Sequence, residues 1–298
     1  MKTGSLITLL SSVRQPARLR YFARSAWLST RADRRRCPNC GCAEFDLVKR
    51  KYVFTALRRC QNCRILYRTP TDSPSLNSNF YQDTYSSGFT TDCPTPDLLA
   101  KLKRTGFRES PKDFAPRISL LQALGVQPGQ RVLDFGASWG YGVWQLGQAG
   151  YDVMGFEISR PRARYAREML GVNVIDNLRD IPGSFDAVFA CHLLEHVPRP
   201  SQVVDWLPQV LQPGGLFVAL TPNGSLECMK TDPARYHRSW GQVHPFYLDK
   251  EFYHATFRSQ PKLLASWPYD LKELTRWDRR SECRLDLSGW ELLCSVAF

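Results

Sequence analysis

From about residue 116 to the end of the chain, short apolar runs alternate with segments of helical periodicity, and nothing else in the sequence restricts the possible folds so tightly. RVLDF, DVMGFEI, VNVI, FDAVFAC and GLFVALT have the length and the Val, Leu and Phe content of strands buried on both faces. Between them, YGVWQLGQAG, PRARYAREML and SQVVDWLPQVL read as helices. That order predicts an α/β, doubly wound sheet with helices on both sides. Pro208 interrupts the last helical pattern and predicts a kink or a fresh turn, because it lacks the N–H the helix needs. The closing stretch, ELTRWDRRSECRLDLSGWELLCSVAF, predicts two antiparallel strands around Leu-Ser-Gly.

Three smaller segments precede this body: a basic arm over 1–36, a cysteine module over 37–70 and a polar linking region over 71–115. In the module, Cys37-Pro-Asn-Cys40 and Cys60-Gln-Asn-Cys63 are nineteen residues apart, inside the window for a four-thiolate zinc site. A two-residue gap turns both sulfurs of a pair toward one tetrahedral ion, and Gly41 supplies a permissive turn that lets backbone N–H groups face the sulfurs. Four protein thiolates leave no open position, so the expected zinc is structural; a redox dithiol or unrelated thiols are the competing readings. Few apolar side chains are evident within 37–67, which predicts a unit that folds only with its metal. The other six cysteines follow no framework, a pattern suited to a reducing compartment and a cytoplasmic protein.

Charge is unevenly spread. Of the net +12, most comes from the arm, where nine Lys/Arg face the single Asp33. Such an arm can lie on an anionic membrane or on nucleic acid, remain solvated, or serve as a targeting segment. No stretch has the roughly 18 apolar residues of a membrane-spanning helix. In the linking region, Phe80, Tyr81, Tyr85 and Phe89 are candidates for a lid or for simple docking on a surface.

The cofactor site is read at the end of the first strand of the body. RVLDF runs into Gly136-Ala-Ser-Trp-Gly140 and then a helix, the carboxyl edge at which open α/β sheets bind ligands. A dinucleotide fingerprint needs a second glycine where Ser138 stands, and Asp134 would repel a pyrophosphate. Against a sulfonium or an amino group the same carboxylate is favourable. Glu157, twenty-three residues on at the end of the second strand, is placed to accept hydrogen bonds from two ribose hydroxyls.

Together, Asp134-x-Gly136-x-x-x-Gly140, Glu157, Phe185-Asp186, Leu194-Glu195-His196-Val197, Gln212-Pro-Gly-Gly215 and Thr221-Pro-Asn223 resemble the successive motifs of class I methyltransferases. The paired cysteines followed by Phe80-Tyr81-x-x-x-Tyr85 resemble a bacterial subgroup in which a zinc ribbon precedes that domain. The resemblance implies a Rossmann-like seven-stranded sheet in the order 3-2-1-4-5-7-6 and S-adenosylmethionine as cofactor. It places the ribose at Glu157 with Ile158 beside it, the adenine near Asn177 and Leu178, and the methionine end near Asp134 and Cys191. Ser138 in place of a glycine and Asn177 in place of an acid depart from the family pattern.

For the chemistry, His192 is the first candidate general base and His244 the second. His192 lies three and four residues from Glu195 and His196, so on a helix these groups share a face. Ubiquinone O-methyltransferases and small-RNA 2′-O-methyltransferases carry a Glu-x-x-Glu-His pattern that binds a divalent metal; here His192 replaces its first Glu, and His244 is a possible further ligand. A metal-free base or a structural histidine is the alternative. Cys-His-Leu-Leu-Glu is not the Asn/Asp-Pro-Pro-aromatic motif of base amino methyltransferases, which argues against a DNA adenine enzyme; the resemblance to the zinc-ribbon subgroup implies a small-molecule, glycan or lipid-linked acceptor. RNA methylation, with Lys49, Arg50, Lys51, Arg58 and Arg59 as a basic patch, and a non-catalytic scaffold are the alternatives.

Overall fold

The computed structural model describes residues 16–72, 92–241 and 244–298. Helix α1 (Pro16–Ser29) precedes β1 (Phe45–Lys51), β2 (Thr55–Cys60) and β3 (Leu66–Thr69). Helices α2 (Pro96–Arg104) and α3 (Ala115–Ala123) lead into β4 (Arg131–Phe135), α4 (Tyr141–Gln148), β5 (Asp152–Phe156), α5 (Arg160–Tyr165), β6 (Val174–Ile175), β7 (Phe185–Cys191), α6 (Pro200–Val210) and β8 (Leu211–Pro222). After them come α7 (Leu226–Thr231), α8 (Pro233–Ser239), β9 (Phe246–Tyr247), α9 (Lys250–Thr256), β10 (Lys262–Ser266), α10 (Leu271–Leu274), β11 (Cys283–Arg284) and β12 (Glu291–Ala297). The aromatics Phe80, Tyr81, Tyr85 and Phe89 lie outside the described residues.

The larger sheet runs β11-β10-β12-β8-β7-β4-β5-β6. Taken from β6, this is the expected 3-2-1-4-5-7-6 order, with the two-residue β11 added at the far edge. Strands β4 to β8 pair in parallel and β12 is antiparallel to both its neighbours. The closing stretch differs from the expectation of two antiparallel strands: β11 pairs in parallel with β10, and the turn between β11 and β12 feeds two separate pairings. Pro208 sits inside α6 without ending it.

Alternate strand residues face opposite cores, as a two-residue period demands. Val132, Ala187, Val218, Leu263 and Leu293 pack under α3 and α4. Their neighbours Leu133, Val188, Phe217, Leu264 and Leu292 pack under α6 and α9. At the amino edge Asp186 accepts from the Arg131 N–H at 2.7 Å, Gln130 Nε2 at 2.9 Å and Gln212 Nε2. It therefore pins the starts of β4, β7 and β8, well away from the ligand-binding edge.

The cysteine module is not a free-standing unit. Its sheet, β1-β2-β3, is completed by β9 from the larger body, with Leu66 opposite Tyr247 and Tyr67 opposite Phe246. Arg59 reaches Asp249 through two hydrogen bonds of 3.3 and 2.6 Å, and both side chains are buried. Asn39 Oδ1 accepts from both the N–H and the hydroxyl of Ser201, each at 3.0 Å. Ala56, Leu57, Ile65, Leu66 and Tyr67 are all buried, which corrects the expectation that 37–67 has little to bury. The missing partner surface is supplied by the body, which the sequence of the module by itself cannot show.

Candidate functional site

Two clusters form at the carboxyl edge of the larger sheet. The first is built where β4 and β5 end. The N–H groups of Gly136 and Ala137 both donate to the Phe156 carbonyl at 2.9 Å, which folds the loop after β4 across the end of β5. One carboxylate then fastens both turns: Glu157 Oε2 accepts from the Ser138 N–H and Oε1 from the Ser159 N–H, each at 2.8 Å. A carboxylate has about four lone-pair positions, so capacity remains for two vicinal hydroxyls. Ser138 adopts φ 51°, the left-handed conformation a glycine would supply freely. That costs about 1–2 kcal/mol, comparable to the about 1.5–3 kcal/mol typical of a hydrogen bond to a charged acceptor, so the departure from the family pattern is tolerated.

Asp134 is buried beside this loop. Burial, and then the neighbouring Glu157 charge, push its carboxyl up to about 7. Gly142, in the first turn of α4, permits this approach, since a Cβ there would stand 2.7 Å from Asp134 Oδ2 and 2.9 Å from Phe114 Cζ. At the ends of β5 and β6, Ile158 and Leu178 each leave 48% of their surface exposed, and Asn177 Oδ1 accepts from the Arg179 N–H at 3.2 Å. Cys191 ends β7, beside β4. The middle of the linking region returns here: Tyr165 donates its hydroxyl to the Pro94 carbonyl at 2.7 Å.

The second cluster lies just after β7. Residues 192–198 form turns rather than the helix expected for them, with His192 at φ 51° and α6 starting only at Pro200. Pro198 and Pro200 disfavour helical geometry in the residues before them. The turn nevertheless brings His192 Nδ1 to 3.3 Å from Glu195 Oε1. Its other nitrogen, Nε2, lies 2.8 Å from Glu291 Oε2, and Arg117 donates to both oxygens of Glu291 at 2.8 and 2.6 Å. Trp290 lies nearly parallel to the imidazole, at 8° and 6.4 Å. Burial opposes the imidazolium, but the hydrogen bonds with Glu195 and Glu291 hold its pKa well above the ordinary histidine value. Arg117 and Glu291 were not anticipated; the visible sign was one acid at the head of the apolar run ELLCSVA.

Beside it, Glu195, His196 and His244 place one ligand atom each within 4.8 Å of one another. His244 donates its Nδ1–H to the Ser239 carbonyl at 2.6 Å, which leaves Nε2 as the lone-pair nitrogen. The structure thus joins Glu195 and His196 to His244, while His192 lies between Glu195 and Glu291. In the cysteine module, Cys37, Cys40, Cys60 and Cys63 also group within 4.8 Å, with sulfur pairs at 3.7 and 3.5 Å. A tetrahedron with Zn–S bonds of about 2.3 Å has edges of about 3.8 Å, so the four thiols fit zinc.

A family model described as a methyltransferase domain matches residues 98–283. The chain belongs to this family. Similar curated methyltransferases include the ubiquinone biosynthesis O-methyltransferase of Ralstonia nicotianae, 33% identical over 109 residues, or 33% of this chain and 46% of the relative. The enzyme of that name from Methylococcus capsulatus is 32% identical over 121 residues, 37% of this chain and 51% of the relative. The chain therefore spans about half the length of the curated relatives it matches. Among solved structures, the plantazolicin methyltransferase BamL, in complex with a triazolic desmethylPZN analog and SAH, is 14% identical. It aligns over 74% of this chain and 95% of its own, with a TM-score of 0.49. No helix of this methyltransferase-family chain, among the described residues, is long and apolar enough to cross a membrane.

Proposed function

We propose that the chain is an S-adenosylmethionine-dependent methyltransferase acting on an oxygen of a small-molecule, glycan or lipid-linked acceptor. The observation that carries this reading is the single carboxylate of Glu157 bridging the glycine loop and the turn after β5, with Asp134 buried at the same edge. S-adenosylmethionine supplies an electrophilic methyl group on a sulfonium. Glu157 would take the ribose hydroxyls, Ile158 and Leu178 the faces of the adenine with Asn177 at its edge, and Asp134 the cationic methionine end near Cys191. Gly136, Ser138 and Gly140 shape the backbone that approaches it. The names of the curated relatives support oxygen as the attacked atom.

Aligning the acceptor with the methyl carbon supplies much of the rate. His192 is the proposed proton acceptor and His244 the second candidate. With both nitrogens of His192 on carboxylates, it takes a proton only after one partner has taken its own, and Glu195 makes the longer contact. In the alternative arrangement Glu195, His196 and His244 would hold a divalent cation, which would favour the anionic form of an acceptor oxygen and would leave neither His244 nor Glu195 to take a proton. Structural zinc is assigned to Cys37, Cys40, Cys60 and Cys63, and a cytoplasmic setting goes with the lack of any spacing framework in the sequence of the other six cysteines. RNA is disfavoured as acceptor: Arg59 is spent on Asp249, Lys51 donates to the His237 and Trp240 carbonyls, Arg58 lies over Phe45 and Lys49 over Tyr236.

A transfer assay with labelled S-adenosylmethionine against separated small-molecule, glycan, lipid and RNA fractions tests the reading. Label is expected in one of the first three. Glu157→Ala should weaken donor binding by about a hundredfold, the loss of one to two charged hydrogen bonds. Label confined to RNA, or a Glu157→Ala protein that binds the donor like the wild type, refutes it.

A further inference from the structure

The turn between β1 and β2 consists of Tyr52, Val53 and Phe54. Hairpin turns normally use Gly, Asn or Asp, because these residues reach positive φ at little cost and are well solvated. Here Tyr52 takes φ 61°, and Val53 and Tyr52 stand 90% and 46% exposed. The chain thus holds an aromatic residue in an unfavourable backbone conformation and keeps a bare valine in water, neither of which helps it fold.

The tip is nonetheless built rather than ragged. Phe22 of α1 packs edge-on against Tyr52 at 4.8 Å and against Phe54 at 5.9 Å. Trp27, 59% exposed on the same helix, carries the Arg31 guanidinium over its ring. Arg31, Arg35 and Arg36, which follow α1, and Arg50, two residues before Tyr52, are exposed, and the segment 1–36 has nine Lys/Arg against one Asp. Exposed apolar and aromatic side chains with exposed arginines close to them in the chain match the two layers of an anionic bilayer surface: acyl carbon below, phosphate above.

The position of the tip also matters. Lys51, at its base, donates to carbonyls at the end of α8, and Arg235 of the same helix lies over Trp290, which faces His192. One short helix therefore separates the tip from the second cluster.

We propose that the Tyr52–Phe54 tip, with Phe22 and Trp27, docks the protein on an anionic lipid surface. This goes beyond the methyl-transfer reading and stands or falls by binding alone. The test is co-sedimentation of the full chain with vesicles of phosphatidylcholine, with and without about 30% phosphatidylserine, at about 0.1 M salt. The wild type should bind the anionic vesicles and not the neutral ones. Val53→Asp, at an exposed position where the fold does not depend on the side chain, should lower the bound fraction about tenfold with an unchanged melting temperature. Tyr52→Ser should weaken binding in the same direction. Absence of vesicle binding by the wild type overturns the proposal, as does equal binding by Val53→Asp. Binding that RNA displaces and Val53→Asp leaves unchanged overturns it too, and marks the basic segment as a nucleic-acid tether.

Discussion

Asp134 is the residue whose charge should respond most to the proposed donor. Its carboxyl is raised from 3.8 to about 7, first by burial and then by Glu157. The sign of the effect comes from linkage: between those values the folded chain holds a proton that the unfolded chain has lost. Its contribution to stability is thus complete below pH 3.8 and lost as the pH rises through about 7. A cationic ligand favours the ionised form, so donor affinity should rise with pH up to about 7 and level off above it, with a proton released on binding in acid. Calorimetry in buffers of different ionisation enthalpy measures both, and Asp134→Asn should flatten the profile. A wild-type affinity independent of pH between about 5.5 and 7.5 would be the contrary result. Asp134 and Glu157 were legible because they bracket a glycine loop at a spacing set by one strand-helix-strand unit. The Arg117–Glu291 pair was not, because 174 residues separate partners whose meeting depends on the whole sheet.

At the scale of elements, periodicity identified the parallel strands because burial on both faces leaves a continuous apolar signature. It failed at 192–198, where prolines and a left-handed histidine override a helical spacing. It also passed over the two-residue β9, which is too short to show any period. The importance of that strand lies in the turn it leads into. There Asp249 accepts from the Glu251 and Phe252 N–H groups at 3.1 and 3.2 Å, capping α9, while it receives Arg59. Removing one member of a buried pair strands the other, at a cost of about 3–5 kcal/mol, whereas replacing both by apolar residues of similar size is close to neutral. Arg59→Ala should therefore lower the unfolding free energy by about that amount in a denaturant titration. Arg59→Met combined with Asp249→Asn, which keeps the cap, should recover most of it. Equal losses in the single and double variants would show that the pair is not what couples the two sheets.

For the whole molecule, segment composition divided the chain into successive parts, whereas the fold interleaves them. The sheet of the cysteine module ends on a strand from the body, and Cys37, Cys60, Ile65 and Tyr67 share one core with α6 and α9. Loss of the zinc proposed for Cys37, Cys40, Cys60 and Cys63 should accordingly spread. Hydrogen exchange after chelation is expected to speed up over 45–69 and also over 246–256, while β4, β5 and β7 stay protected. Exchange confined to 45–69 would mean that the module moves alone. The pairing of β3 with β9 carries a further lesson about shortening the gene. A polypeptide trimmed to begin at residue 98, where the family resemblance begins, would retain Phe246–Tyr247 with a raw seam along one side and Asp249 as a stranded anion. What reads as a detachable header is a wall of the larger half, and its loss would invite neighbouring copies to fill the gap.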